Sequence, residues 1–178
     1  LPLECLLRGW HVLASDTSLK AVNGCEKNIE WIRKEEKILK KATQSAVWQQ
    51  DATTPFHLKT PPDVIVTETS LGPALQDRPT QKGAISMRNE NEQLQEAFLR
   101  NIAATLSGVP LTLSWPVWYL RTGPVFLEKI WNVVKELGYS PLLPPDIEPS
   151  LPERTSLLYR RSDQLVGREI VLLLPPPK

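Results

Sequence analysis

Residues 63–72 read Asp63-Val64-Ile65-Val66-Thr67-Glu68-Thr69-Ser70-Leu71-Gly72. One acid opens a continuous β-branched apolar run. A run without polar alternation suits a strand covered on both faces, and such strands belong to parallel sheets lying between helices. The stretch predicts an interior strand over residues 63–67. Ligands of doubly wound sheets bind outside the carboxyl ends of their strands. Glu68, the residue after the strand, is therefore a candidate site residue, with merely closing the strand as its other reading. Gly72-Pro73 then turns the chain.

Upstream, the same grammar repeats. Leu3, Leu6 and Leu7 predict a helix end that stops at Gly9. His11 to Ser15 predict a short strand ending at Asp16, and Ser18 is a helix N-cap candidate. Leu19, Val22, Cys25, Ile29 and Ile32 follow at helical spacing. The charged run Arg33 to Lys41 continues that helix or starts another, with Ile38 and Leu39 facing inward; such runs are usually solvated. Ser45 to Trp48 predict a second strand leading to Asp51. Asp16 and Asp51 thus stand after successive strands, where carboxylates can accept hydrogen bonds from ribose hydroxyls and an adenine amine. The plainer readings are a helix cap for Asp16 and a turn-forming role for Asp51.

Downstream, residues 72–88 are rich in polar and breaker residues and predict a long loop, a feature that in compact domains is usually functional or disordered. It is expected to close over Glu68, with Lys82 and Arg88 near phosphates. Leu94, Ala97, Phe98, Ile102 and Leu106 mark an amphipathic helix ended by Gly108. Leu111 to Leu120 form a strand region interrupted by Pro116. Trp115 and Trp118 there, near Arg121, are candidate base platforms. Phe126, Ile130, Val133, Val134 and Leu137 mark a further helix ended by Gly138. Thr155 to Arg160 and Arg168 to Leu174 predict a closing antiparallel hairpin at the sheet's edge. The prolines at 175–177 cannot continue a strand, and the 175–178 tail is expected to fray.

Composition is compatible with this α/β reading. The 178 residues are 41% hydrophobic and 23% charged, with net charge +1, ordinary values for one soluble domain. A near-neutral total neither demands nor excludes a nucleic-acid partner. Two unclustered cysteines, Cys5 and Cys25, give neither a metal site nor a disulfide framework. No stretch approaches the ~20 apolar residues of a membrane span, so a cytoplasmic location without membrane partners is expected. His57, between Phe56 and Leu58 in a loop, has no visible partner for general-base work.

The motifs, taken in order, resemble the Rossmann-fold nucleic-acid amine methyltransferases, and among them the tRNA guanine-N2 enzymes. Leu3-Glu4-Cys5-Leu6-Leu7-Arg8-Gly9-Trp10 looks like the helix after the family's glycine-rich loop. Ser15-Asp16 with Lys20-Ala21-Val22 and Lys27-Asn28-Ile29-Glu30-Trp31 is similar to the next strand and helix. Gln50-Asp51-Ala52-Thr53 resembles the family's Asp-Ala step. Residues 63–72 sit where the family carries Asp/Asn-Pro-Pro-Tyr, here replaced by Glu68, Thr69, Ser70 and Leu71. Ser156 to Arg161 and Val166 to Ile170 resemble its closing hairpin.

The resemblance implies a Rossmann-like methyltransferase sheet, mostly parallel with a C-terminal antiparallel hairpin, over residues 1–174. The first strand and its glycine-rich loop are missing before Leu1, so a true start upstream is expected. It implies S-adenosylmethionine as cofactor, with Glu4, Asp16, Asp51 and Ala52 on it. Glu68 and Leu71 become the catalytic candidates, the first accepting from an amine and the second packing on a base. Lys82, Arg88 and Arg121 become candidate contacts to tRNA or other structured RNA. No metal is implied. Two rivals remain open: a dinucleotide-dependent oxidoreductase, disfavoured by the closing hairpin, and a non-catalytic RNA-binding relic or subunit, favoured by the substituted 68–71 segment.

Overall fold

The computed structural model describes residues 1–177. The chain divides into two compact units, residues 1–54 and the residues from 55 onward. The first contains α1 (Pro2–Leu7), β1 (Val12–Asp16), α2 (Leu19–Glu35) and β2 (Ser45–Gln49). Strands β1 and β2 are parallel, with Val12 opposite Ser45 and Asp16 opposite Gln49. Gly9, at φ 75°, releases the chain from α1 in a conformation that side chains disfavour. Ser18 caps α2 as its residue type predicts, its Oγ accepting from the Ala21 amide at 3.3 Å. Leu6, Ile29 and Ile32 form the buried centre, with Leu3, Val12, Cys25, Ile38 and Val47 packed around them.

The charged run departs from its reading. Helix α2 stops at Glu35, and Lys37 adopts φ 54°, so helical spacing no longer governs the residues beyond it. Ile38 reaches the core, whereas Leu39 is 58% exposed. Arg33 is buried rather than solvated. Its Nη2 donates to the Thr43 carbonyl at 2.7 Å and to Ser45 Oγ at 3.0 Å, and its Nη1 to Thr43 Oγ1 at 3.2 Å. Those acceptors are what make burial of the guanidinium tolerable.

The second unit runs β3 (Ile65–Glu68), α3 (Gln81–Thr105), β4 (Leu111–Tyr119), β5 (Pro124–Val125), α4 (Ile130–Glu136), β6 (Ser140–Leu142), β7 (Leu157–Tyr159) and β8 (Val166–Leu174). Its sheet has the order β3-β4-β8-β6, with β5 on β4 and β7 on β8. The β3–β4 pair is parallel and the β7–β8 hairpin antiparallel, as expected. Strand β8 is interior, not the edge predicted for it. Its nine residues take β4 along one side and the short β6 and β7 along the other.

Pro116 does not interrupt β4. The carbonyls of Pro110 and Ser114 accept from Ile65 and Thr69, toward β3. By alternation the Pro116 nitrogen points to that same side, beyond the end of β3 at Glu68, where no ladder hydrogen bond is lost.

Helix α3 overturns the long-loop expectation. Residues 81–88 are helical, capped by Thr80 Oγ1 accepting from the Gly83 amide at 3.1 Å, and only residues 72–80 are irregular. Its buried stripe is the predicted one only toward its end: Phe98, Ile102 and Leu106 are buried, but Leu94 is 41% exposed and Ala97 is exposed, while Asn91, Glu92 and Gln95 are buried in their place. The polar members have structural partners. Asn91 Nδ2 donates to the Ser70 carbonyl at 2.7 Å. Glu92 Oε1 accepts from the Glu128 and Lys129 amides at 2.6 and 2.8 Å, satisfying the start of α4, whose own N-cap side chain makes no such bond.

Leu111, Leu113 and Trp115 face Leu173, Val171 and Glu169 across the β4–β8 ladder, and all six are fully buried. Helix α4 covers this face through Trp131, edge-on to Trp115 at 5.3 Å. On the other face, Val66 and Leu142 remain about half exposed. Gly138, at φ 76°, ends α4, and Pro176 lies against it, so the tail is docked at that point; Lys178 lies outside the described residues.

Candidate functional site

In the first unit, Asp16 ends β1 and Asp51 follows β2 by two residues, at the carboxyl ends of adjacent parallel strands. The ends are tied together: the Gln50 amide donates to the Asp16 carbonyl at 3.0 Å, and Gln49 Nε2 to the Thr17 carbonyl at 2.9 Å. Each acid also has the local role that its residue type predicts. Asp16 Oδ1 accepts from the Ser18 amide at 2.8 Å. Asp51 Oδ1 accepts from the Thr53 amide at 2.8 Å and from its hydroxyl at 2.7 Å. The Thr53 amide, and after it the hydroxyl, holds the Asp51 carboxyl below the usual carboxylate range. Both acids are exposed, and the Oδ2 of each has no partner among the described residues. Glu4 is exposed on α1 and Ala52 half-buried in the turn after Asp51.

In the second unit, Glu68 is the last residue of β3. The segment after it is held from two directions. The Thr69 amide and hydroxyl both donate to the Ser114 carbonyl, at 3.2 and 2.7 Å, and Asn91 holds Ser70 from α3. Arg168 Nε of β8 donates to Glu68 Oε1 in an ion pair. The side chain of Glu68 is half exposed and that of Arg168 about a quarter. Glu68 Oε2 has no partner among the described residues. Ser114, opposite Glu68 in the β3–β4 ladder, has a buried hydroxyl with no hydrogen-bond partner.

Leu71 and Gly72 line an open recess of about 570 Å³ with Leu165 of the β7–β8 turn and Val166 at the start of β8. Arg121 lines a neighbouring cleft of about 620 Å³. Lys82 is exposed in the first turn of α3. Arg88, also on α3, pairs with Glu128 at 3.3 Å and its side chain is 19% exposed. Neither belongs to a loop over Glu68. Trp115 and Trp118 are fully buried, so their faces are packing surfaces and not base platforms. His57 is exposed in the loop after the first unit. Sequence reasoning missed Arg168, Ser114 and Asn91; the one readable signal was the adjacent charges Arg168 and Glu169 on an otherwise apolar strand. Among the described residues, no cluster could hold a metal ion, and no helix is long and apolar enough to cross a membrane.

No family model matches the chain, and no curated protein matches it. Solved structures do. NSun6 from Pyrococcus horikoshii, solved with SFG, superposes with TM-score 0.60 at 17% identity, over 94% of this chain and 42% of that one. TrmN from Thermus thermophilus gives 0.44 at 16% identity, over 97% and 48%. LepI in complex with SAM gives 0.40 at 11% identity, over 98% and 47%. The chain spans less than half the length of each. The likeness to NSun6 shows the fold, a Rossmann-like α/β arrangement with added antiparallel strands.

Proposed function

We propose that the chain belongs to an S-adenosylmethionine-dependent methyltransferase acting on an exocyclic amine of an RNA base, guanine N2 of tRNA being the substrate the sequence resemblance favours. One observation carries the reading. Asp16 and Asp51 stand at the carboxyl ends of adjacent parallel strands, each with a free Oδ2. That pair of acceptors fits an adenosine, which offers ribose hydroxyls and an adenine amine as donors. NSun6, which shares the fold, was solved with SFG, an analogue of S-adenosylmethionine, and this supports the assignment.

When bound, S-adenosylmethionine supplies an electrophilic methyl group. The chain's own residues do the rest by placement. Glu68, fixed through Oε1, presents Oε2 as acceptor for an amine N–H, which orients the nitrogen lone pair away from the carboxylate. Leu71 packs on the base. A base read this way is unpaired or flipped out of its helix. A methyl group delivered there would leave the amine with one proton in excess, and Glu68 Oε2 would be the acceptor placed to take it.

Thermal shift tests the cofactor half. S-adenosylhomocysteine should raise Tm and nicotinamide dinucleotides should not. Asp16→Asn should abolish the shift. A shift with the dinucleotides alone would favour the oxidoreductase reading. The non-catalytic reading draws on the ion pair that already engages Glu68. A filter methylation assay on unmodified tRNA transcript separates it, since a relic transfers no methyl group.

A further inference from the structure

We propose that the cleft between residues 76–81 and 120–122 seats a phosphodiester of the RNA beside the target nucleotide, held by Arg78 and Arg121. The proposal rests on the RNA reading above only for the identity of the phosphate carrier. Arg78 comes from the segment before α3 and Arg121 from the chain leaving β4, and both line the same cleft of about 620 Å³. Both are exposed, and neither guanidinium has an ion-pair partner among the described residues. Their situation differs from that of the other arginines nearby. Arg88 is committed to Glu128, Arg168 to Glu68, and Arg160 to the Gln164 carbonyl and the Tyr119 ring. Asp77 is the one acid of the lining, so the walls carry two positive charges against one negative.

The cleft leads to the Leu71 recess, because Gln76 and Leu165 line both. That recess has the character of a base end. Its wall at Gly72 has no side chain, and Trp118 lies behind it, with Nε1 4.0 Å from where a Gly72 Cβ would stand. Trp118 itself is fully buried and backs that wall. A recess lined by Leu71, Leu75 and Val166 together with Gln164 and Asp163, the last paired to Arg161, beside a cleft with two guanidiniums free of ion pairs, matches the division of a nucleotide into base and phosphate.

The test is fluorescence anisotropy with a labelled ten-uridine oligoribonucleotide across a salt series. Arg78→Ala with Arg121→Ala should weaken binding about tenfold, and should lower the slope of log K against log salt by about 1.4, at ~0.7 per single-strand phosphate contact. Lys replacements at both positions should restore the slope. Lys40→Ala with Lys41→Ala, an equal charge loss at exposed residues of the first unit, should change neither. Equal losses in the two double variants, or no oligonucleotide binding by the unaltered chain, would overturn the seat. So would an acidic peptide that competes as well as the oligonucleotide. Loss of binding on arginine removal, with no methyl transfer by the unaltered protein, would refute the proposed reaction and leave the seat standing.

Discussion

Glu68 on β3 is ion-paired to Arg168 on β8 although β4 lies between the two strands. The pair spans β4 on the face where Ser114 opposes Glu68 and Pro116 opposes Arg168. The contact fixes one carboxylate oxygen and leaves the other free, which is how an acceptor is oriented without being consumed. Glu68→Gln should therefore cut kcat by about 10²–10³-fold, since one oriented polar contact at a transition state is worth ~2.7–4 kcal/mol, with cofactor affinity unchanged. Arg168→Gln should lower kcat less, and Arg168→Lys should recover part of the loss. Full methylation by Glu68→Gln would remove the residue from the reaction.

Asp51 carries a prediction in pH. The Thr53 amide, then the Thr53 hydroxyl, lower its folded-state pKa. A depressed carboxyl pKa contributes stability that is present above the unfolded value and is lost as pH falls through the folded one. Carboxyl carbon chemical shifts should show Asp51 titrating below the ordinary carboxylate range. Thr53→Val keeps the amide and removes the hydroxyl, so it should return the midpoint only part of the way. A midpoint in Thr53→Val identical to wild type would show that the hydroxyl does not act on the carboxylate in solution.

Strand periodicity and caps made much of the fold legible. The Ser18 cap and Gly9 each state a local preference that tertiary contacts then respected. The apolar run at 63–67 does form a strand, but not the doubly covered one expected: β3 lies at the end of its unit's sheet, with Val64 and Val66 each 47% exposed. The 81–88 segment was illegible because Gly83 and Ser86 look like breakers; the first turn tolerates Gly83 once Thr80 caps it, and Ser86, in the second turn, donates its hydroxyl to Glu90 Oε1. The stripe of α3 was misread for a different reason. Counting apolar residues cannot find Asn91 or Glu92, which are buried for the hydrogen bonds they make to Ser70 and to the start of α4. Of the candidate site, Asp16, Asp51 and Glu68 could be singled out because each stands at or just past the carboxyl end of a strand. Arg168 could not be assigned to Glu68, because the two are 100 residues apart and their meeting depends on β8 pairing with β4, a register that no local pattern encodes.

The buried charge on β8 supplies the sharpest stability test. Glu169 is fully buried opposite Trp115, where an isolated carboxylate would be very costly. Arg154 answers it twice, Nε to Oε1 at 2.6 Å and Nη2 to Oε2 at 2.8 Å, and Ser156 Oγ donates to Oε1 at 2.7 Å. The same guanidinium donates to the Leu127 carbonyl at 2.9 Å and lies 4.5 Å from the centre of the Phe126 ring. One arginine thereby ties the turn before β7 to β8 and to the segment entering α4. Removing it strands the carboxylate, a loss of ~3–5 kcal/mol for a buried pair, so Arg154→Ala should lower the urea midpoint of unfolding sharply. Removing both charges should cost much less, because desolvation of the pair offsets most of its attraction. Arg154→Met with Glu169→Leu should accordingly be more stable than Arg154→Ala alone. If the double variant is the less stable of the two, the network contributes more than neutralisation of Glu169, and its hydrogen bonds to Ser156 and Leu127 are the terms that hold the sheet to α4.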